Sequence, residues 1–143
     1  MSIALDVAKR SGQDIPVGAL VVLDGEILAS SCNRVVKDNN PVAHAEILVM
    51  QKASEILGTR ILDRCEIYTT LEPCPMCFYA ISLARFKSLY FGAYDAKRGA
   101  ISCGHLSKPG YFFLPKIYDG IMEKESAAIL KKFFVKLRSG FAQ

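Results

Sequence analysis

The chain has 143 residues, 51% hydrophobic and 22% charged, which suits one globular domain spanning residues 1–143 and argues against disorder. Its longest apolar stretches, such as GALVVL and AAIL, are too short to span a bilayer, and the N-terminus lacks a basic start followed by an apolar block. The five cysteines are therefore read as thiols in a reducing, cytoplasmic compartment, and their odd number leaves one outside any intramolecular pairing scheme. The net charge is only +4, but between Ala84 and Lys116 six basic residues face one acid, Asp95. Such a stretch fits a solvated surface first, and second one that attracts phosphates.

In chain order, residues 3–11 predict a short amphipathic helix that stops at Gly12. GALVVLDGEILASSCN predicts two strands joined at Asp24-Gly25, a two-residue hairpin signal. AHAEILVMQKASEILG predicts a helix with Ile47, Leu48, Ile56 and Leu57 at helical spacing and Gly58 as its stop. CEIYTTL is a strand, CPMCFYAISLARF a helix entered through Pro75, and SLYFGAYD a further strand. Residues 99–115 are rich in Gly and Pro and ambiguous, and PKIYDGI predicts a short last strand. EKESAAILKKFFVKLR closes the chain as a helix with Ala128, Leu130, Phe134 and Leu137 among its apolar positions. Strands alternating with helices after a hairpin predict an α/β fold, a mixed central sheet with helices on both faces.

Cys74 and Cys77 stand at i and i+3 where a helix begins, so both sulfurs can project from one face. A helix N-terminus favours thiolates, the form that binds metal or attacks disulfides. A CxxC alone leaves a thioredoxin-like redox site open. Haem attachment fails because Phe78 follows the second cysteine, and no second CxxC or HxxxH pair completes a structural zinc site. Cys32, Cys65 and Cys103 are dispersed and read as small hydrophobes rather than ligands.

One of the two histidines lies in PVAHAEI, so that His44-Ala45-Glu46 precedes Pro73-Cys74-Pro75-Met76-Cys77 by about thirty residues. H-x-E followed by P-C-x-x-C is the signature of zinc nucleobase deaminases. One imidazole and two thiolates supply three ligands and cancel the charge of Zn²⁺, leaving a fourth position for water. Glu46, two residues past the histidine, is placed to shuttle protons in hydrolytic deamination of an amidine-like ring carbon.

From about Ala4 to Arg138 the chain resembles the bacterial tRNA adenosine deaminases, within the wider cytidine and deoxycytidylate deaminase superfamily. The resemblance is carried by IPVGALVV (15–22), CNR (32–34), NPVAHAEI (40–47), YTTLEPCPMC (68–77) and FGAYDAKRGA (91–100). It implies a three-layer α/β/α fold with a five-stranded sheet, one zinc per chain on His44, Cys74 and Cys77, and Glu46 as the catalytic proton shuttle. It further implies substrate contacts from Asn33, from the backbone N–H of Ala45, and from Asp95 and Lys97 on a loop near RNA. The implied activity is conversion of the wobble adenosine of a tRNA anticodon loop to inosine, by a homodimer whose second subunit helps form the substrate site.

Guanine deaminases share part of the pattern, and deamination of a free base or nucleoside (guanine, cytosine, cytidine or deoxycytidylate) is the alternative. A zinc-bound RNA-binding module without catalysis is disfavoured by Glu46. The start is shorter than is usual for the family, which predicts that part of the first helix precedes Met1. Residues 101–118 lack the HHP and NH pattern of some tRNA-editing relatives, and His105 there is read as a loop residue, not a ligand.

Overall fold

The computed structural model describes residues 1–104, 106 and 113–141. Its elements are α1 (Ser2–Ala8) continued by a 3₁₀ turn (Lys9–Ser11), β1 (Gly18–Leu23), β2 (Glu26–Cys32), α2 (Ala45–Leu57), β3 (Cys65–Leu71), α3 (Pro75–Ala84), β4 (Ser88–Ala93), β5 (Lys116–Tyr118) and α4 (Glu123–Phe141). The five strands form one sheet in the order β2-β1-β3-β4-β5. β1 is antiparallel to both β2 and β3, whereas β3, β4 and β5 run parallel, so the sheet is mixed as expected.

The hairpin turn is the one its residues dictate. Asp24 and Gly25 both take positive φ (50° and 80°), the primed geometry whose twist matches the flanking strands. A register shift between Val21 and Val22 adds a bulge beside it.

Alternate strand residues separate the two faces. On one face Val21, Ile67 and Leu89 pack with Val49 and Ala53 of α2 and with Phe78 and Ile81 of α3 in the main core. On the other, Leu20 packs with Ala4 and Val7 of α1, and Tyr68 flanks them. Tyr68, Tyr90 and Tyr118 are registered neighbours on that second face, their rings stacked at centroid distances of 4.3 and 4.6 Å. Such pairs are each worth about 0.5–1.5 kcal/mol beyond simple burial, and they tie the short edge strand β5 to the sheet.

Two helices leave some of their apolar positions exposed. In α2 the buried face is Ala45, Glu46, Val49, Met50 and Ala53, while Ile56 (58%) and Leu57 (36%) are exposed. The buried residues of the helix end at Ala53, so its last turn, which carries Ile56 and Leu57, stays in solvent. In α4, Phe134 and Leu137 are exposed. They line a pocket, as described below. His105 and residues 107–112 lie outside the described residues.

α1 lies on β1 at Gly18, where an added Cβ would come within 2.1 Å of the Ala4 carbonyl oxygen and 2.7 Å of the Ala8 nitrogen. Both are backbone atoms, so nothing there can rotate aside. Gly18→Ala is expected to destabilise the fold by about 1–3 kcal/mol, the usual cost of overpacking, measured as a lower urea midpoint with an unchanged slope.

Candidate active site

Because β2, β3 and β4 point the same way, the segments that follow them emerge at one edge of the sheet. Crevices outside the carboxyl ends of strands are the usual ligand sites of open α/β sheets. Here Asn33 follows β2, Glu72 to Cys74 follow β3, and Asp95 to Arg98 follow β4. Asn33, His44, Glu46, Glu72, Cys74 and Asp95 all line a cavity of about 470 Å³, a size suited to a small molecule or an extruded base.

Three donors converge within it. His44 is the N-cap of α2 and Cys74 the N-cap of α3, both with extended backbone, and Cys77 lies buried in the first turn of α3. The Nδ1 of His44 is 3.4 Å from the Cys77 sulfur and 3.7 Å from that of Cys74, and all three donor atoms lie within 4.8 Å of one another. Zinc–nitrogen and zinc–sulfur bonds of about 2.0 and 2.3 Å at a tetrahedral angle separate nitrogen and sulfur by about 3.5 Å. The cradle therefore fits zinc in both chemistry and dimensions. No other cluster of three such groups occurs among the described residues, and Cys32, Cys65 and Cys103 are free and remote from this one.

The electrostatics agree. The N-terminal ends of two helices meet here and favour negative charge. A hydrogen bond from Cys77 holds the Cys74 thiol down to about 4, and that bond together with burial pushes Cys77 up. His44 is raised, first by its hydrogen bond to Cys74. A dication between the three donors replaces these protons.

Glu46 is 4% exposed in the first turn of α2. Loss of solvation pushes its carboxyl up to about 7, the range in which one group can both accept and return a proton near neutrality. The charge of a bound dication acts in the opposite direction.

Asn33 and Ala45 are brought together on each other. The Asn33 Oδ1 accepts from the Ala45 N–H at 2.8 Å, and its Nδ2 donates to the Ile15 carbonyl at 3.1 Å. One Nδ2 hydrogen and one Oδ1 lone pair stay available for a ligand. Asp95 lines the cavity but also closes its own turn, its Oδ1 accepting from the N–H groups of Lys97 and Arg98. Lys97 and Arg98 are both exposed, and of the two Arg98 lines the cavity.

Several lining residues escape a reading of the sequence. Phe133, Phe134 and Leu137 of α4 form an apolar wall, though the helical stripe they belong to looks like a core-facing one. Asp14 is buried and accepts from the N–H groups of Val36 and Lys37 on one wall. Glu72 is buried and also lines the cavity. The only sequence signal for these two is a carboxylate set among apolar or proline neighbours.

The described residues include no helix long and apolar enough to cross a membrane. The model of the cytidine and deoxycytidylate deaminase zinc-binding region matches residues 1–93. A tRNA-specific adenosine deaminase of Agrobacterium fabrum is 45% identical over 142 residues, covering 96% of this chain and 93% of the relative. A solved structure from studies of A-to-I editing by tRNA deaminases at the wobble position of transfer RNA superposes with a TM-score of 0.86. It is 45% identical, and the match covers 91% of this chain and 97% of that one. Guanine deaminase from Bacillus subtilis is more distant, with a TM-score of 0.65 and 33% identity over 92% of this chain and 90% of that one. The donor set, the fold and these likenesses agree: the chain belongs to the zinc-binding cytidine and deoxycytidylate deaminase family and groups with its tRNA-specific adenosine deaminases.

Proposed function

We propose that this pocket converts the wobble adenosine of a tRNA anticodon loop to inosine by hydrolysis, releasing ammonia. The observation that carries the reading is the convergence of His44, Cys74, Cys77 and the buried Glu46 in one cavity. The chain that holds them is 45% identical to a tRNA-specific adenosine deaminase over nearly its full length. Bases in a single-stranded loop enter such a pocket at less cost than bases in a duplex.

In this reading His44, Cys74 and Cys77 hold one zinc, which when bound brings the pKa of water down to about 7. Glu46 accepts a proton from the attacking water. It passes that proton to the ring nitrogen, then takes a second from the hydroxyl now on the ring carbon and passes it to the amino group, which departs as ammonia, so a single buried carboxyl serves both halves of the reaction. The free hydrogen and lone pair on Asn33 address the base edge, while the Ala45 N–H, already bonded to Asn33, fixes the orientation of that amide. Asp95 and Arg98 form the basic-to-acidic rim, with Lys97 outside it to meet phosphate. The apolar wall of Phe133, Phe134 and Leu137 excludes water from the base. Deamination of free guanine is the second reading, favoured by the likeness to the Bacillus subtilis enzyme.

The partner is a second copy of this chain. The seam between α2 and α3 leaves a wide apolar groove lined by Ile47, Met50, Ala80 and Leu83, and Leu83 is 62% and Met76 37% exposed. Exposed apolar ground of this kind, beside the metal-binding helices, is what a homodimer would cover. A thiol-rich, reduced site acting on tRNA belongs in the cytoplasm.

Purified protein is expected to carry about one zinc per chain. Cys77→Ser should abolish that content with the far-ultraviolet circular dichroism retained. Zinc should also be lost as pH falls, because protons compete for the thiolates and for His44, whose pKa is already raised. Glu46→Gln should keep the metal and lower kcat by at least about 100-fold. An anticodon stem-loop with a wobble adenosine should yield inosine. Turnover of free guanine with none formed in RNA would establish the second reading instead. Light scattering should give a dimer for the native chain and a monomer for Leu83→Glu.

A further inference from the structure

Glu72 takes no part in the proton chemistry assigned to Glu46, yet it is among the most deeply buried side chains, 2% exposed. No ion pair involves it among the described residues. A carboxylate removed from water needs its oxygens satisfied by donors, and here one segment supplies them. The Ser102 N–H donates to Oε2 at 3.0 Å, the Ser102 hydroxyl to Oε1 at 2.5 Å, and the Asp95 N–H reaches Oε1 at 3.4 Å. Only hydrogen fits between them: a Cβ on Gly99 would lie 1.6 Å from Oε2.

The backbone extends the same join. Ala100 N–H donates to the Pro73 carbonyl at 2.9 Å, and Glu72 N–H to that of Ala93 at 2.8 Å. Residues 72–73, which lead directly into Cys74, and residues 93–102, which carry Asp95, Lys97 and Arg98, are thus one hydrogen-bonded unit. A carboxylate suits it because every contact is with a donor and a carboxylate only accepts, whereas an amide would turn an NH₂ toward one of them.

We propose that Glu72 is a positioning residue: it clamps the 95–102 segment to the cysteine loop and so sets the rim that meets the substrate, governing affinity more than the chemical step. The inference rests on the reading above that this rim meets an RNA loop. Asp14 uses the same device at the same cavity, holding Val36 and Lys37 by their N–H groups at 2.8 and 3.1 Å.

The test uses the zinc-loaded full chain as Glu72→Gln, Glu72→Ala and Gly99→Ala. Amide hydrogen exchange in 95–102 should speed up about tenfold or more, the worth of a lost hydrogen bond to a charged group, while α2 and α3 are unchanged. Zinc content should hold. On the anticodon stem-loop KM should rise about tenfold with kcat within about threefold of the native value. Gly99→Ala attacks the clamp from the other side, so it should add little on a Glu72→Ala background, where the obstructing carboxyl is gone. Should Glu72→Gln fail to fold, Gly99→Ala carries the same readouts. Unchanged exchange in 95–102, a fall in kcat at constant KM, or full additivity of the two substitutions overturns the proposal. If native protein forms no inosine in the stem-loop, the RNA reading falls, and the exchange measurement still decides the clamp.

Discussion

Everything at this site depends on bringing the N-terminal ends of two helices to the same edge of the sheet. His44 caps α2 and Cys74 caps α3, and the strands that feed those helices point the same way, so an imidazole and two sulfurs meet within 4.8 Å. The helix ends contribute positive potential that stabilises thiolates before any ion arrives. The closely packed α2, with Ala45, Val49 and Ala53 against the sheet, holds His44 and Glu46 on one rigid turn. A loosely packed helix would let the donors drift by the fraction of an ångström that separates a three-point metal cradle from a set of unrelated side chains.

From that constraint the rest of the pocket follows. Burial raises the carboxyl of Glu46 toward neutrality, which is a stability cost at neutral pH and suits the proton transfer proposed for it. The walls are loops, and loops need anchoring. Two buried carboxylates, Asp14 and Glu72, supply it by collecting backbone N–H groups that strands and helices would otherwise satisfy. α4 closes the remaining side with aromatic surface.

How much of this was legible in the sequence depends on the kind of residue. His44, Cys74 and Cys77 were, because metal ligation demands particular side chains at particular spacings. The hairpin at Asp24-Gly25 and the helix entry at Pro75 were legible because backbone conformation demands particular residues there. Phe134 and Leu137 were legible only as apolar positions of a helix, because helical periodicity reports an apolar face without saying what it faces. Ile56 and Leu57 fit the period, but the buried part of α2 ends at Ala53 and they lie in the turn beyond it. Glu72 could not be understood locally, since its partner Ser102 lies thirty residues away. Lys97 was paired with Asp95 by family resemblance; Asp95 lines the cavity, whereas Lys97 is exposed and its N–H donates to the Asp95 carboxylate.

Zinc-edge X-ray absorption on the purified protein tests the central claim most directly, because it reads the donor set rather than its consequences. The account predicts two sulfurs at about 2.3 Å and two lighter donors at about 2.0–2.1 Å, one imidazole nitrogen and one solvent oxygen. A closed shell of four protein ligands, or protein that folds and turns over substrate without zinc, would contradict it.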